Sequence, residues 1–182
     1  MKVMTIYRIE PDVDNFRSLL PVDAKLTEHG LLALDGTTKI SAWNTPIEAV
    51  VDNADAPEPD IYDFGAGNLL LHDISWQLLK PHLEPDCEFL PVTWYGRIGY
   101  VVNVVGHSAC IDPKQTKWVI GRESGKRIRI EKYAFLDDQV PSNLLFKIGE
   151  RPFELFCIAR FRNLIESNGV TGLAFVPVWP SE

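Results

Sequence analysis

Apolar residues along this chain fall mostly into short runs with period two, bounded by Gly, Pro, Asn and Asp; only two stretches carry the spacing of a helix. Residues 1–9 open as a strand, with Val3, Thr5 and Tyr7 alternating against Met4, Ile6 and Arg8. The signal weakens over residues 10–63. A helix-like piece at 15–20 runs into Pro21, and Asp35-Gly36 is a turn dipeptide between short apolar runs. Residues 51–62 (VDNADAPEPDIY) hold two prolines, four acids and little to bury, so they read as an exposed loop.

From residue 67 the pattern is stronger. Residues 67–72 form an apolar strand, and Asp73 is a suitable N-cap for a helix over Asp73–Leu83. Its expected buried stripe is Ile74, Leu78, Leu79 and Leu83; Pro81 threatens a kink in the last turn and Pro85 ends it. Cys87–Trp94 then reads as a strand, residues 96–99 as a turn and residues 100–105 as a second strand. Further strands are expected at Lys117–Ile120, 127–133, 144–148 and 153–157, then a helix over Ala159–Ser167 with an Asn168-Gly169 C-cap, and a last strand at 172–178.

Two of these units echo each other. Leu78-Leu79 precede Phe89-Leu90-Pro91-Val92 as Leu164-Ile165 precede Phe175-Val176-Pro177-Val178, at an offset of 86 residues without a gap. The pattern predicts an α+β fold: a mainly antiparallel sheet with two principal helices packed on it, Leu79 and Leu164 lying at matching core positions.

Size and composition fit one domain spanning residues 1–182. The chain has 182 residues, 46% hydrophobic and 24% charged, enough to bury a core without staples. Apolar runs are strand-sized, and Lys2 is not followed by a signal-like apolar segment, so a soluble cytoplasmic protein is expected, with no membrane partner. Cys87, Cys110 and Cys157 are odd in number and widely spaced, as in a reduced protein whose cysteines serve as small buried hydrophobes.

Charge distribution changes the picture more than total charge. All of the formal net charge of −7 resides in residues 1–66, where five Lys or Arg stand against twelve Asp or Glu; the remainder has thirteen of each. Such an acidic, loop-rich third repels nucleic acid and favours a basic partner. Its densest part carries Asp52, Asp55, Glu58, Asp60 and Asp63, near Trp43 and Tyr62 in sequence. Carboxylates steer encounter and aromatics anchor it, which makes these seven residues a candidate partner-binding set; a solvated loop is the plain alternative. The D-x-D-x-D-G calcium pattern is missing, and no metal or cofactor is expected.

Two other segments invite a chemical reading. Gly106 to Asp112 (GHSACID) brings His107, Ser108 and Cys110 close in sequence, so a small hydrolase using Cys110 and His107 is one alternative. It lacks the G-x-S-x-G elbow, however, and neighbours on a loop have no defined catalytic geometry. His29, His72, His82 and His107 show no metal-ligand spacing, and no phosphate-cradling glycine loop occurs. The second segment, Arg122, Lys126, Arg127, Arg129 and Lys132, suggests a ligand- or nucleic-acid-binding module. Glu123 and Glu131 interrupt it, and its period of two is explained by a strand with one solvated charged face.

Several blocks, taken in order, resemble a known family. The run from residue 73 to 105 (DISWQLLKPHLEPDCEFLPVTWYGRIGYVVNVV) is similar to that family's helix, its EFLPV strand and the strand after it. RIRIEKYAFL at 127–136, LLFKI at 144–148 and LFCIARFRNLIESNGVTGLAFVPV at 155–178 resemble the segments that follow. The family is the eleventh immunity-protein family of bacterial polymorphic toxin systems, and the resemblance covers roughly residues 60–182. It implies a non-enzymatic cytoplasmic antitoxin that binds and neutralises a cognate secreted toxin; a homodimer is left open.

Overall fold

The computed structural model describes residues 4–28, 30–43 and 45–180. His29 therefore lies outside the described residues, as do the first three positions of the expected opening strand. Twelve strands are present among the described residues: β1 Ile6–Pro11, β2 Ser18–Pro21, β3 Ile47–Asp52, β4 Ile61–Asp63, β5 Leu69–Leu71, β6 Cys87–Trp94, β7 Arg97–Val104, β8 Lys117–Ile120, β9 Arg127–Lys132, β10 Leu145–Ile148, β11 Arg151–Ile158 and β12 Leu173–Trp179. Three helices join them, α1 Lys25–Glu28, α2 Asp73–Leu83 and α3 Ala159–Ser167.

The α+β expectation is corrected by this architecture, which is mostly β: 40% of residues are in strands and 13% in helices. Strands are ordered β10-β11-β1-β12 in one sheet and β2-β3-β6-β7-β5-β4 in a second, with β8 and β9 forming a separate ribbon. Every ladder is antiparallel except the short β3–β6 pairing. The two larger helices do not share a sheet, since α2 lies on β7 and α3 on β11. The 86-residue echo thus marks two helices on two sheets.

Apolar side chains form three clusters, alternating with the sheets. A central cluster joins Tyr7, Ile9, Leu145 and Cys157 of the four-stranded sheet to Leu69, Leu71, Val102 and Val104 of the six-stranded one, with Leu79 and Leu83 of α2 and Phe161 and Ile165 of α3. A second cluster lies on the far face of the six-stranded sheet, where Leu19, Ala49, Leu90, Val92 and Val101 are covered by Leu32, Leu34 and Trp43. The third covers the outer face of the four-stranded sheet with Ile111, Ile130, Tyr133 and Phe135. Strand β7 (RIGYVVNV) is nearly continuously apolar because both of its faces meet a cluster.

Local differences from the sequence pattern have local causes. Residues 15–20 are not a helix. Phe16 N–H donates to Asp12 O at 3.1 Å, and the chain then extends into β2, burying Leu19 and leaving Leu20 out. In α2 the N-cap is His72 rather than Asp73, whose φ is +44° as the first helical residue. The buried stripe is Ser75, Leu79 and Leu83, while Ile74 is exposed. The expected turn at 96–99 is tighter: Tyr95 and Gly96, with φ +46° and +76°, close a two-residue hairpin, and Arg97, Ile98 and Gly99 belong to β7. Gly172 is required where the chain crosses β4, because a Cβ there would lie 2.1 Å from Ile61 O.

Candidate functional site

The acidic segment begins on β3, leaves it at Asp52 and re-enters the sheet at Ile61. It is held rather than free. Arg17 anchors its middle, with N–H donating to Pro57 O at 3.0 Å and Nε to Ala56 O at 2.9 Å. Asp60 anchors its end: the carboxylate accepts from Thr171 N–H and Oγ1, both at 2.8 Å, while Asp60 O accepts from Ser75 Oγ of α2. Asp63 accepts from the N–H groups of Gly65 and Gly67; these favour its charged form, but burial prevails and its carboxyl titrates above the usual range.

Glu58 meets Arg97 at the start of β7, and Arg97 Nη2 reaches Asp73 Oδ2 and His72 Nδ1, each at 3.1 Å. The guanidinium lies 5.1 Å from the Trp94 ring, which Tyr62 and His72 each meet edge-on while lying tilted to one another. Hydrogen bonds from Arg97 first and His72 second hold Asp73 below the ordinary carboxylate range. At Glu58 partial burial pushes the other way, but Arg97 and Tyr62 outweigh it and the carboxyl also titrates low. Burial and the neighbouring Glu58 push the Tyr62 phenol up to about 12. This cluster ties loop, helix and hairpin together.

Trp43 and Tyr62, the two aromatics of the candidate set, are both buried. Trp43 is 4% exposed and donates its indole N–H to Pro91 O at 2.8 Å; Tyr62 is 1% exposed. Both belong to the second cluster, so they support the segment from beneath. Among the acids, Glu58, Asp60 and Asp63 are engaged inside the molecule. Asp52 and Asp55 are exposed, and their carboxylates make no hydrogen bond or ion pair among the described residues.

The thiol alternative is not assembled. Cys110 is fully buried and its thiol is pushed up to about 11, chiefly by burial, whereas His107 Nε2 lies 2.7 Å from Asp35 O. Asp112 accepts from the N–H groups of Lys114 and Gln115 in a turn. The basic run occupies the β8–β9 ribbon. There Arg127, Ile128 and Arg129 are all exposed, so the expected single solvated face is corrected to two, with only Ile130 turned inward. Arg127 lies over Trp118 at 4.9 Å. Among the described residues no group of three His, Cys, Asp or Glu side chains could hold a metal ion, and no helix is long and apolar enough to cross a membrane.

Sequence reasoning missed Arg97, placed inside an expected turn, and it missed the exposed apolar residues Leu20, Val22, Val50, Tyr95 and Ile98. The dipeptide Tyr95-Gly96 between two apolar runs was the available sign of a hairpin that puts Arg97 and Ile98 in a strand. For Val50 the sign was the run Ala49-Val50-Val51, apolar on both faces of a short strand.

Comparison with known proteins gives a family. The model described as Immunity protein family (Imm11) matches residues 9–179. That match reaches further back than the sequence blocks and takes in the acidic third. No curated protein matches the chain.

Proposed function

Because the chain belongs to the Imm11 immunity protein family, we propose that it is a cytoplasmic antitoxin, acting as one domain, that binds a cognate secreted toxin through a basic surface on that toxin and blocks it stoichiometrically. The family match from residue 9 to residue 179 carries this reading. The molecule's own chemistry supports it: unpaired carboxylates at Asp52 and Asp55 stand on a segment braced by Arg17, Arg97 and Thr171, a preorganised acidic surface whose ordering cost falls on folding and not on binding. Complementary charge of this kind accelerates encounter and rejects partners of the wrong sign.

The test takes a toxin domain found in the genes neighbouring this chain's, expressed with and without the chain. Co-expression restores growth, and the purified chain inhibits the purified toxin with an end point at one equivalent. If growth is not restored, the antitoxin reading fails. Protection well below one equivalent would instead indicate turnover, and so an enzyme.

A further inference from the structure

The six-stranded sheet is covered on one face along its whole breadth, but on the other only in part. That second face meets the central cluster through Cys87 and Phe89 of β6 and Val102 and Val104 of β7. The cover ends at Trp76 of α2, which stacks on Tyr100 with ring centroids 3.9 Å apart and meets Phe89 edge-on at 4.9 Å. Beyond that stack the same face continues across β7, β6, β3 and β2, and among the described residues it is open at Leu20, Val22, Glu48, Val50 and Ile98. Register fixes which side chains it carries: Ile98 is opposite Thr93, Thr93 opposite Glu48, and Val50 opposite Leu20. Val22 continues the ladder, its N–H donating to Glu48 O at 2.9 Å. Exposures of 39% for Leu20, 53% for Val22, 42% for Val50 and 49% for Ile98 show how bare this half-face is.

We propose that this bare half-face, with Leu20, Val22, Val50 and Ile98 at its centre, is the docking surface for a basic protein. The proposal rests on the antitoxin reading and names the surface on which the toxin sits. A sheet face meant only for water carries polar residues at alternate positions, and a contiguous apolar patch with a polar rim marks an interaction site. The rim along β3 is acidic, while Lys80 stands over Trp76 at the α2 edge. Glu48 and Asp52 flank Val50 two residues to either side on the same strand face, both exposed, and Asp55 follows. No Lys or Arg occupies face positions 20, 22, 48, 50, 52, 93 or 98.

That charge pattern selects the occupant. A second copy docked about a two-fold axis would bring Glu48 and Asp52 against the same carboxylates, and nucleic acid would bring phosphates; both are opposed by like charge. A protein with apolar side chains ringed by Lys and Arg satisfies centre and rim together. Tyr95, 78% exposed at the tip of the β6–β7 hairpin, adds an aromatic of the kind that anchors interfaces. Four strands span about 14 Å, suited to the desolvated centre of an interface of about 800 Å² per partner. The opposite face of the same strands is locked by Leu19, Ala49 and Val92, so the docking side chains can change without unfolding the sheet.

The experiment measures binding of the same toxin domain to the parent, to the V50K/I98K variant and to the milder V50T/I98T variant, which keeps β-branched side chains. Ile128→Lys on the basic ribbon serves as the control. V50K/I98K should weaken the affinity about 100-fold and V50T/I98T about 10-fold, with urea midpoints and the control's affinity unchanged. If the parent binds and both variants bind equally well, the toxin docks elsewhere and only this proposal falls. A parent that neither binds nor inhibits the toxin overturns the antitoxin reading itself. Should the parent sediment as a dimer that V50K/I98K dissociates, the face belongs to a second copy and the proposal is likewise overturned.

Discussion

Lys147 shows how a single residue can set a pH dependence. Strand β10 is buried along its length, and Lys147 is only 5% exposed, with Nζ donating to Pro152 O at 3.0 Å. Burial moves its pKa from 10.5 down to about 8, with Asp35 opposing weakly. A lysine with a depressed folded pKa binds fewer protons folded than unfolded between those two values, so its penalty is full below pH 8 and is relieved as pH rises towards 10.5. The shift corresponds to about 3 kcal/mol, against about 1 kcal/mol for the hydrogen bond to Pro152. Lys147→Met should therefore gain on the order of 2 kcal/mol at pH 7, and that advantage should vanish by pH 10.5. Urea titrations of parent and variant across this range check it; a constant difference would show that Lys147 titrates alike in the folded and unfolded protein, its pKa unmoved by burial. None of this was legible in the sequence, where Lys147 in LLFKI looks like any solvated strand lysine. The roles of Trp43 and Tyr62 were hidden for a related reason: proximity to acids in sequence does not reveal which side of a strand or loop an aromatic faces.

Helices α2 and α3 were found from sequence at their full extent, and their burial gives an element-level test. Leu79 is fully buried between α2 and β7, as its spacing implied, but on α3 the buried positions are Phe161 and Ile165 while Leu164 is half-buried. Leu79→Ala and Ile165→Ala should each cost about 2–5 kcal/mol, and Leu164→Ala only about 1–2 kcal/mol. Urea midpoints at constant m-value measure all three; equal losses at Leu164 and Ile165 would mean that α3 is rotated from the face described. The register slipped because aligning the two helices by their echo assumed that both meet the same sheet in the same way, whereas α3 turns towards β11. The strands from residue 87 onwards were legible as apolar runs bounded by turns, apart from the first three residues of β7. Those at β2 to β4 were not: three to six residues interrupted by acids and proline give little periodicity, and only pairing with β6 and β5 makes them strands. The mostly β character of the molecule was concealed there.

Across the whole molecule, charge excess and the bare sheet face coincide. The acidic third supplies β2, β3 and the braced segment, and its two roles separate cleanly. Glu58 and Asp60 hold the segment to Arg97 and Thr171, while Glu48, Asp52 and Asp55 are exposed. Neutralising all the acids of the segment together would confuse folding with binding. The discriminating variant is E48Q/D52N/D55N. On the antitoxin proposal, long-range attraction between this surface and a basic toxin would add to the encounter rate at low ionic strength and be screened within about 8 Å at physiological salt. The triple variant should associate with the toxin about ten-fold more slowly at low salt and show a flatter dependence of rate on ionic strength, with dissociation changed less and the thermal midpoint unmoved. Asp60→Asn should behave in the opposite way: it weakens the acceptor for Thr171 N–H and Oγ1, so it should lower stability by about 1 kcal/mol while leaving the salt dependence nearly intact. Stopped-flow association at several salt concentrations, alongside thermal melts, resolves both. Unchanged association in the triple variant would place the toxin's charged contacts on the charge-balanced remainder of the chain.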